Sequence, residues 1–129
     1  MFSLRKETDY ALQFLKFLAK SPRKSVSLME VADATGLSFL FLQKIARKLR
    51  LAGILSAELG VDGGYKLKIV ANKLTLKKII AVIEGGCSLC TCCEKGVCKD
   101  KGNCLVGKKI RVVNNKILRI LEGVKLSDL

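Results

Sequence analysis

Six cysteines stand between Cys87 and Cys104, and the chain has no histidine. Any metal chemistry in that stretch must therefore run mainly on sulfur. Thiolates are what iron-sulfur clusters require, and four of them also close a structural zinc site. Thiols serving only as core residues would be scattered over apolar positions, and disulfide scaffolds belong to secreted chains. The run Cys87-x2-Cys90-x2-Cys93 opens like a bacterial ferredoxin motif. Its next cysteine follows after four residues instead of three, and no second run exists, which argues against an electron carrier. With no histidine as a base and no motif pairing a nucleophile with an acid, the chain is not expected to be an enzyme or to take a small-molecule substrate.

The segment between these cysteines carries Gly, Lys and Asp and no periodic apolar face, so a ligand or partner must order it. Elements on both sides have to position it. Ahead of it, Leu74 to Glu84 has Leu76, Ile79, Ile80 and Ile83 on one helical face, with Thr75 as a cap and Gly85-Gly86 as a stop. Behind it, Leu105 to about Leu121 repeats Val106, Ile110, Val113, Ile117 and Ile120 or Leu121 at helical steps. A second stripe, Leu105, Val112 and Leu118, exceeds what one small core needs and predicts packing against a second copy, a homodimer. The leucines of the tail, Leu126 and Leu129, are placed to dock back on the body.

Further upstream, Leu4 to Lys20 reads as a helix that stops at Ser21-Pro22. Ser27-Leu28-Met29-Glu30 has the form of a capping box opening a short helix to Thr35, ended by Gly36. Ser38 is placed to cap a third helix, Phe39 to about Ala52, with Leu42, Ile45, Ala46 and Leu49 facing inward. Two helices joined by a short Gly-containing turn make a helix-turn-helix. Gln43, Lys44, Arg47, Lys48 and Arg50 supply a polar, cationic face with no acid, suited to a DNA groove. The runs Ile54 to Leu59 and Tyr65 to Val70 alternate like strands around Gly60-Val61-Asp62-Gly63-Gly64, a hairpin wing whose Gly63 and Gly64 join the predicted DNA contacts. That loop lacks the Gly-x-Gly-x-x-Gly spacing of a nucleotide site.

The predicted fold is mainly α with a small β-hairpin: a winged helix-turn-helix plus a long dimerisation helix. It divides into a DNA-binding domain (1–72), a connecting helix (73–86), a cysteine-rich cluster-binding loop (87–104) and the dimerisation helix with its tail (105–129). The chain has 24 Lys+Arg against 11 Asp+Glu, a net charge of +13, which favours a polyanionic partner, foremost double-stranded DNA. No apolar run reaches bilayer-spanning length, so no membrane partner is expected and a cytoplasmic location is predicted. In a reducing compartment clustered thiols favour metal over permanent disulfides.

Taken in this order, the elements resemble the Rrf-type family of bacterial winged-helix regulators. The resemblance rests on Thr8-Asp9-Tyr10-Ala11-Leu12, Gly36-Leu37-Ser38, Gly63-Gly64-Tyr65 and above all the spacing Cys92-x5-Cys98-x5-Cys104. It implies the cluster-binding, IscR- and NsrR-like branch: a cytoplasmic transcriptional regulator sensing redox state, nitric oxide or iron status. Cys92, Cys98 and Cys104 would be the thiolate ligands of a 4Fe-4S or 2Fe-2S cluster, and DNA a pseudo-palindromic operator bound by the homodimer. Two positions depart from the pattern. IscR-like members take a histidine ligand three residues after the last cysteine, where this chain has Gly107. NsrR-like members use a first-helix aspartate of the other subunit, matched by Asp9, while Cys87, Cys90 and Cys93 are alternative ligands. Where members commonly carry an arginine at the wing, this chain has Leu59, so the minor groove is expected to be read less well. The resemblance further implies Ser38, Leu40 and Gln43 as the positions that read bases. Other readings left open are a zinc-stabilised nucleic-acid-binding module and a metal-free thiol switch.

Overall fold

The structure is a computed structural model that describes residues 3–21, 24–90, 93 and 104–129. Helix α1 spans Lys6–Ala19, α2 Leu28–Thr35 and α3 Phe39–Leu51; strands β1 (Leu55–Glu58) and β2 (Gly64–Leu67) follow, then α4 (Leu76–Glu84) and α5 (Gly107–Gly123). The expected winged helix-turn-helix followed by a long helix is what the chain forms.

Local sequence signals set most of these limits. The Ser27 hydroxyl accepts the Glu30 N–H at 3.1 Å, and Thr75 does the same for Lys78 at 3.1 Å, so each satisfies an otherwise unpaired donor of a first helical turn. Gly36 and Gly85 end α2 and α4 at φ 72° and 80°, a left-handed conformation that a Cβ disfavours. Ser38 occupies the N-cap position of α3, but its side chain makes no capping bond. The expected cap is thus positional only. Helix α1 starts at Lys6 instead of Leu4, because Glu84 takes the Arg5 N–H at 3.0 Å and anchors the chain just before the helix.

β1 and β2 pair antiparallel in the register Leu55 to Leu67, Ser56 to Lys66, Ala57 to Tyr65 and Glu58 to Gly64. A third line of chain, absent from the sequence reading, completes the sheet. Val26 and Tyr65 exchange N–H to carbonyl bonds of 2.9 and 2.8 Å, placing β2 between β1 and the segment ahead of α2. The wing is therefore fastened to the helix-turn-helix on its far edge as well as through β1.

The core joins Phe14, Leu15 and Leu18 of α1, Val31 of α2, Leu42, Ile45 and Leu49 of α3, Ile54 and Leu55 at the start of the wing, and Ile79 and Ile83 of α4. Leu126 is fully buried in it. The C-terminal strap is held by backbone bonds, with Leu76 N–H to Val124 O and Leu126 N–H to Leu74 O both at 2.8 Å. The tail docks one leucine as expected, while Leu129 stays exposed.

Helix α5 stands apart from this core. Of its residues only Asn114 is buried, and its inner line runs Ile110, Asn114, Ile117 and Leu121. The expected stripe holds at Ile110, Ile117 and, of its two alternative last positions, Leu121, but Val106, Val113 and Ile120 are 62%, 45% and 66% exposed. Their seven-residue spacing makes an outward apolar seam, joined by Val112.

Candidate nucleic-acid interface and cysteine site

Three contacts fix the orientation of α3. Its buried side, Leu42, Ile45, Ala46 and Leu49, enters the core. Tyr10 of α1 meets Phe41 edge to face with ring centroids 5.8 Å apart, bracing the first turn. Lys48 donates from Nζ to Glu7 Oε1 at 2.8 Å and to the Ile83 carbonyl at 3.3 Å, linking α3 to both α1 and α4.

Exposed on α3 are Leu40, Gln43, Lys44, Arg47 and Arg50, with Ser38 just ahead, together with the apolar Phe39 and Phe41 of the first turn and Leu51 at the end of the helix. Lys44 lies 4.0 Å from Glu7 and keeps 62% of its side chain exposed, so it stays available to solvent. Lys48 is the exception among the predicted DNA contacts. Its ammonium is spent on Glu7 and Ile83, which withdraws it from the outward face. Its helical position relative to the buried residues is readable in sequence, but its partner 41 residues away is not.

The wing's base is rigid and its tip apolar. Glu58 accepts from Ser25 Oγ at 2.5 Å and pairs with Lys66 across the hairpin. These bonds, Lys66 first and then Ser25, hold the Glu58 carboxyl below its ordinary value. Phe14 meets Tyr65 edge to face at 6.5 Å, seating β2 on the core. A Cβ on Gly64 would collide with the Val26 carbonyl, and one on Gly63 with the Glu58 carbonyl. Both glycines are thus required by close backbone approach within the fold, a role distinct from the DNA contact expected of them. Leu59 and Val61 project fully into solvent.

The cysteines are brought together only in part. Cys90 and Cys93 have sulfurs 3.3 Å apart, and the Cys93 N–H bonds to the Cys90 carbonyl at 3.0 Å. Cys87 lies elsewhere, in a cleft lined by Leu4, Ile80, Glu84, Asn114, Ile117 and Leu121. Burial pushes its thiol pKa up, with Lys77 opposing and Glu84 reinforcing the shift. Cys104 is exposed just ahead of α5. Cys92 and Cys98 lie outside the described residues. Among the described residues no three His, Cys, Asp or Glu side chains converge as a metal site.

Two positions bear on a fourth ligand. A Cβ added to Gly107 would lie 3.3 Å from both Cβ and Sγ of Cys104, so residue 107 sits directly against that sulfur and contributes nothing to it. Asp9 is exposed on α1, its Oδ2 accepting from Gln13 Nε2 at 3.1 Å.

One residue of consequence escaped the sequence reading. Asn114 is 5% exposed, and its Oδ1 accepts the Leu89 N–H at 2.9 Å, tying the start of the cysteine segment to α5. A polar residue interrupting an apolar helical line was the available signal. Among the described residues no helix is long and apolar enough to cross a membrane.

Residues 4–129 match the family model Rrf2, described as an iron-dependent transcriptional regulator. The protein aau3 of Rhizobium meliloti is 32% identical over 98% of this chain and 83% of its own length. The HTH-type transcriptional regulator IscR of Vibrio campbellii is 28% identical over 84% of this chain, which spans only 65% of that relative. Among solved structures, CymR, the global cysteine regulator of B. subtilis, superposes with a TM-score of 0.79 at 27% identity, over 99% of this chain and 95% of the other.

Proposed function

This chain belongs to the Rrf2 family of transcriptional regulators, which are not enzymes, and from that premise we propose that it is a homodimeric DNA-binding regulator controlled by an iron-sulfur cluster. The observation that carries the DNA half is the outward face of α3: Gln43, Lys44, Arg47 and Arg50 exposed, with no acid anywhere in the helix. Arg and Lys grip phosphate and set the register on the duplex, while Gln43 can pair with an adenine edge in the major groove. The outward seam of Val106, Val113 and Ile120 supports dimerisation through α5, since exposed apolar side chains at heptad spacing lower their free energy by facing a copy of themselves. A two-fold dimer would read a pseudo-palindromic operator with half-sites about one helical turn apart.

The cluster would be held by Cys92, Cys98 and Cys104, whose thiolate chemistry fits it, and would supply a redox- and nitric-oxide-sensitive centre. Exposed Cys104 is accessible for ligation, and Gly107 beside it leaves the fourth position to be filled from elsewhere. Exposed Asp9 of a partner subunit is the proposed source. Because the cysteine segment connects α4 to α5, ligation there acts on the elements that space the two recognition helices. A typical coupling of about 1 to 3 kcal/mol would change operator affinity roughly 5- to 150-fold.

Anaerobic purification with iron and sulfide analysis and a visible spectrum tests this reading. The expected result is charge-transfer absorption that Cys98→Ala abolishes. Colourless protein with stoichiometric zinc would replace the cluster by a structural zinc site. Colourless, metal-free protein would leave a regulator working through its thiols alone.

A further inference from the structure

We infer that Cys90 and Cys93 form a reversible dithiol-disulfide pair, a modification site separate from the Cys92, Cys98 and Cys104 ligand set, whose reaction partner is a low-molecular-weight disulfide. The two sulfurs stand 3.3 Å apart. A bond of about 2.05 Å needs them to close by little more than an ångström, within reach of side-chain rotation. The backbone also holds the two residues together, because the Cys93 N–H bonds to the Cys90 carbonyl at 3.0 Å. Their position is anchored as well: Leu89, immediately ahead of Cys90, is held by buried Asn114 of α5 at 2.9 Å. Ordering of this kind raises the effective concentration of one thiol at the other and favours an intramolecular disulfide over a lasting mixed one. Cys87 is set apart from the pair by its place in the cleft between α4 and α5.

The exchange balances without any other reagent. One sulfur of the pair, as thiolate, attacks the small disulfide, forming a mixed disulfide and releasing one thiol. The second sulfur attacks the first, forming the Cys90–Cys93 bond and releasing the other thiol. Two electrons pass from the pair to the small disulfide, and the two protons leave with the released thiols.

The test uses the full chain, freed of metal with a chelator under argon so that the outcome does not depend on cluster binding. It is incubated with oxidised glutathione, its remaining thiols are alkylated, and the tryptic peptide from Ile79 to Lys95, which holds Cys87, Cys90, Cys92 and Cys93, is weighed. The expected result is a peptide with two fewer alkylated thiols, restored by dithiothreitol. The loss should persist in Cys87→Ser and Cys92→Ser and vanish in both Cys90→Ser and Cys93→Ser. A peptide that keeps all its reactive thiols, or a loss that survives in Cys90→Ser or Cys93→Ser, overturns the assignment.

Discussion

Lys48 turns back from α3 to Glu7 near the start of α1, its ammonium 2.8 Å from the carboxylate, with Glu7 only 13% exposed. The pair fixes the tilt of the recognition helix against α1, while the Lys48 to Ile83 bond fixes it against α4. A lysine in a cationic row thereby becomes part of the scaffold that aims the row.

Lys48→Met and Arg47→Ala should therefore differ in kind. Lys48→Met keeps the apolar stem but leaves Glu7 without its near partner, and is expected to cost about 1 kcal/mol of stability in urea unfolding. Arg47→Ala should leave stability nearly unchanged and weaken binding to all duplexes. Its salt dependence, the slope of log affinity against log salt, should fall by about one. Gln43→Ala should relax discrimination at a single base by about 1 to 3 kcal/mol, read by competition between operator variants.

The wing offers a contrast between glycines. Gly64→Ala would drive a Cβ into the Val26 carbonyl, backbone that cannot yield without breaking the bridge to Tyr65. A loss of about 3 kcal/mol is expected. Gly123→Ala, at the end of α5 with open space around it, should instead stabilise by about 0.5 kcal/mol through helix propensity. Chemical denaturation of both variants checks the pair.

Much of this was legible because it is local. The caps at Ser27 and Thr75, the stops at Gly36 and Gly85 and the buried faces of α3 and α4 depend on residues within a turn or two of each other, which periodicity and capping rules read directly. The Val26 to Tyr65 bridge, the Lys48 to Glu7 pair and the strap at Leu126 depend on distant partners that only tertiary packing brings together. Asn114 shows the same limit within one helix. Reading α5 by apolar residues alone widened its stripe beyond the true inner line, because a buried asparagine carries that line while valines face out. The ligand set was read from spacing and resemblance. Of its thiols only Cys104 lies among the described residues, and the Cys90–Cys93 pairing has no signature beyond a two-residue gap.

Glu58 carries a pH dependence. Its carboxyl is held below its ordinary value of 4.5 by Lys66 and Ser25, so the fold favours the ionised form. A depressed folded value means the contribution is present above pH 4.5 and is lost as pH falls through the lower folded value. In NMR titration of the Glu58 carboxyl, Lys66→Ala should raise the midpoint more than Ser25→Ala. High salt should narrow the difference, since the group is exposed.

The seam on α5 makes a prediction about assembly that is separate from folding. Val113 and Ile120 contribute nothing to the core, so Val113→Glu with Ile120→Glu should leave the monomer's helical content and unfolding midpoint nearly unchanged. If the proposed dimer forms through this seam, sedimentation should nevertheless convert from dimer to monomer, because two carboxylates buried across it would lie among apolar side chains with no partner.

The proposed fourth ligand can be tested at the two positions that bear on it. If Asp9 of the partner completes the site, Asp9→Ala should hasten loss of visible absorption on exposure to air while leaving iron bound at purification. Gly107→His places an imidazole on the residue that already lies against Cys104, whose sulfur would be 3.3 Å from the new Cβ. Cys104 is exposed, so its side chain can turn to make room. The double variant should therefore recover slow decay, with the ligand now supplied from within one chain. Its decay should also become independent of protein concentration near the dimer dissociation constant, whereas decay of the wild type should speed up on dilution as the partner's carboxylate departs. Equal decay of wild type and Asp9→Ala would remove Asp9 from the ligand set.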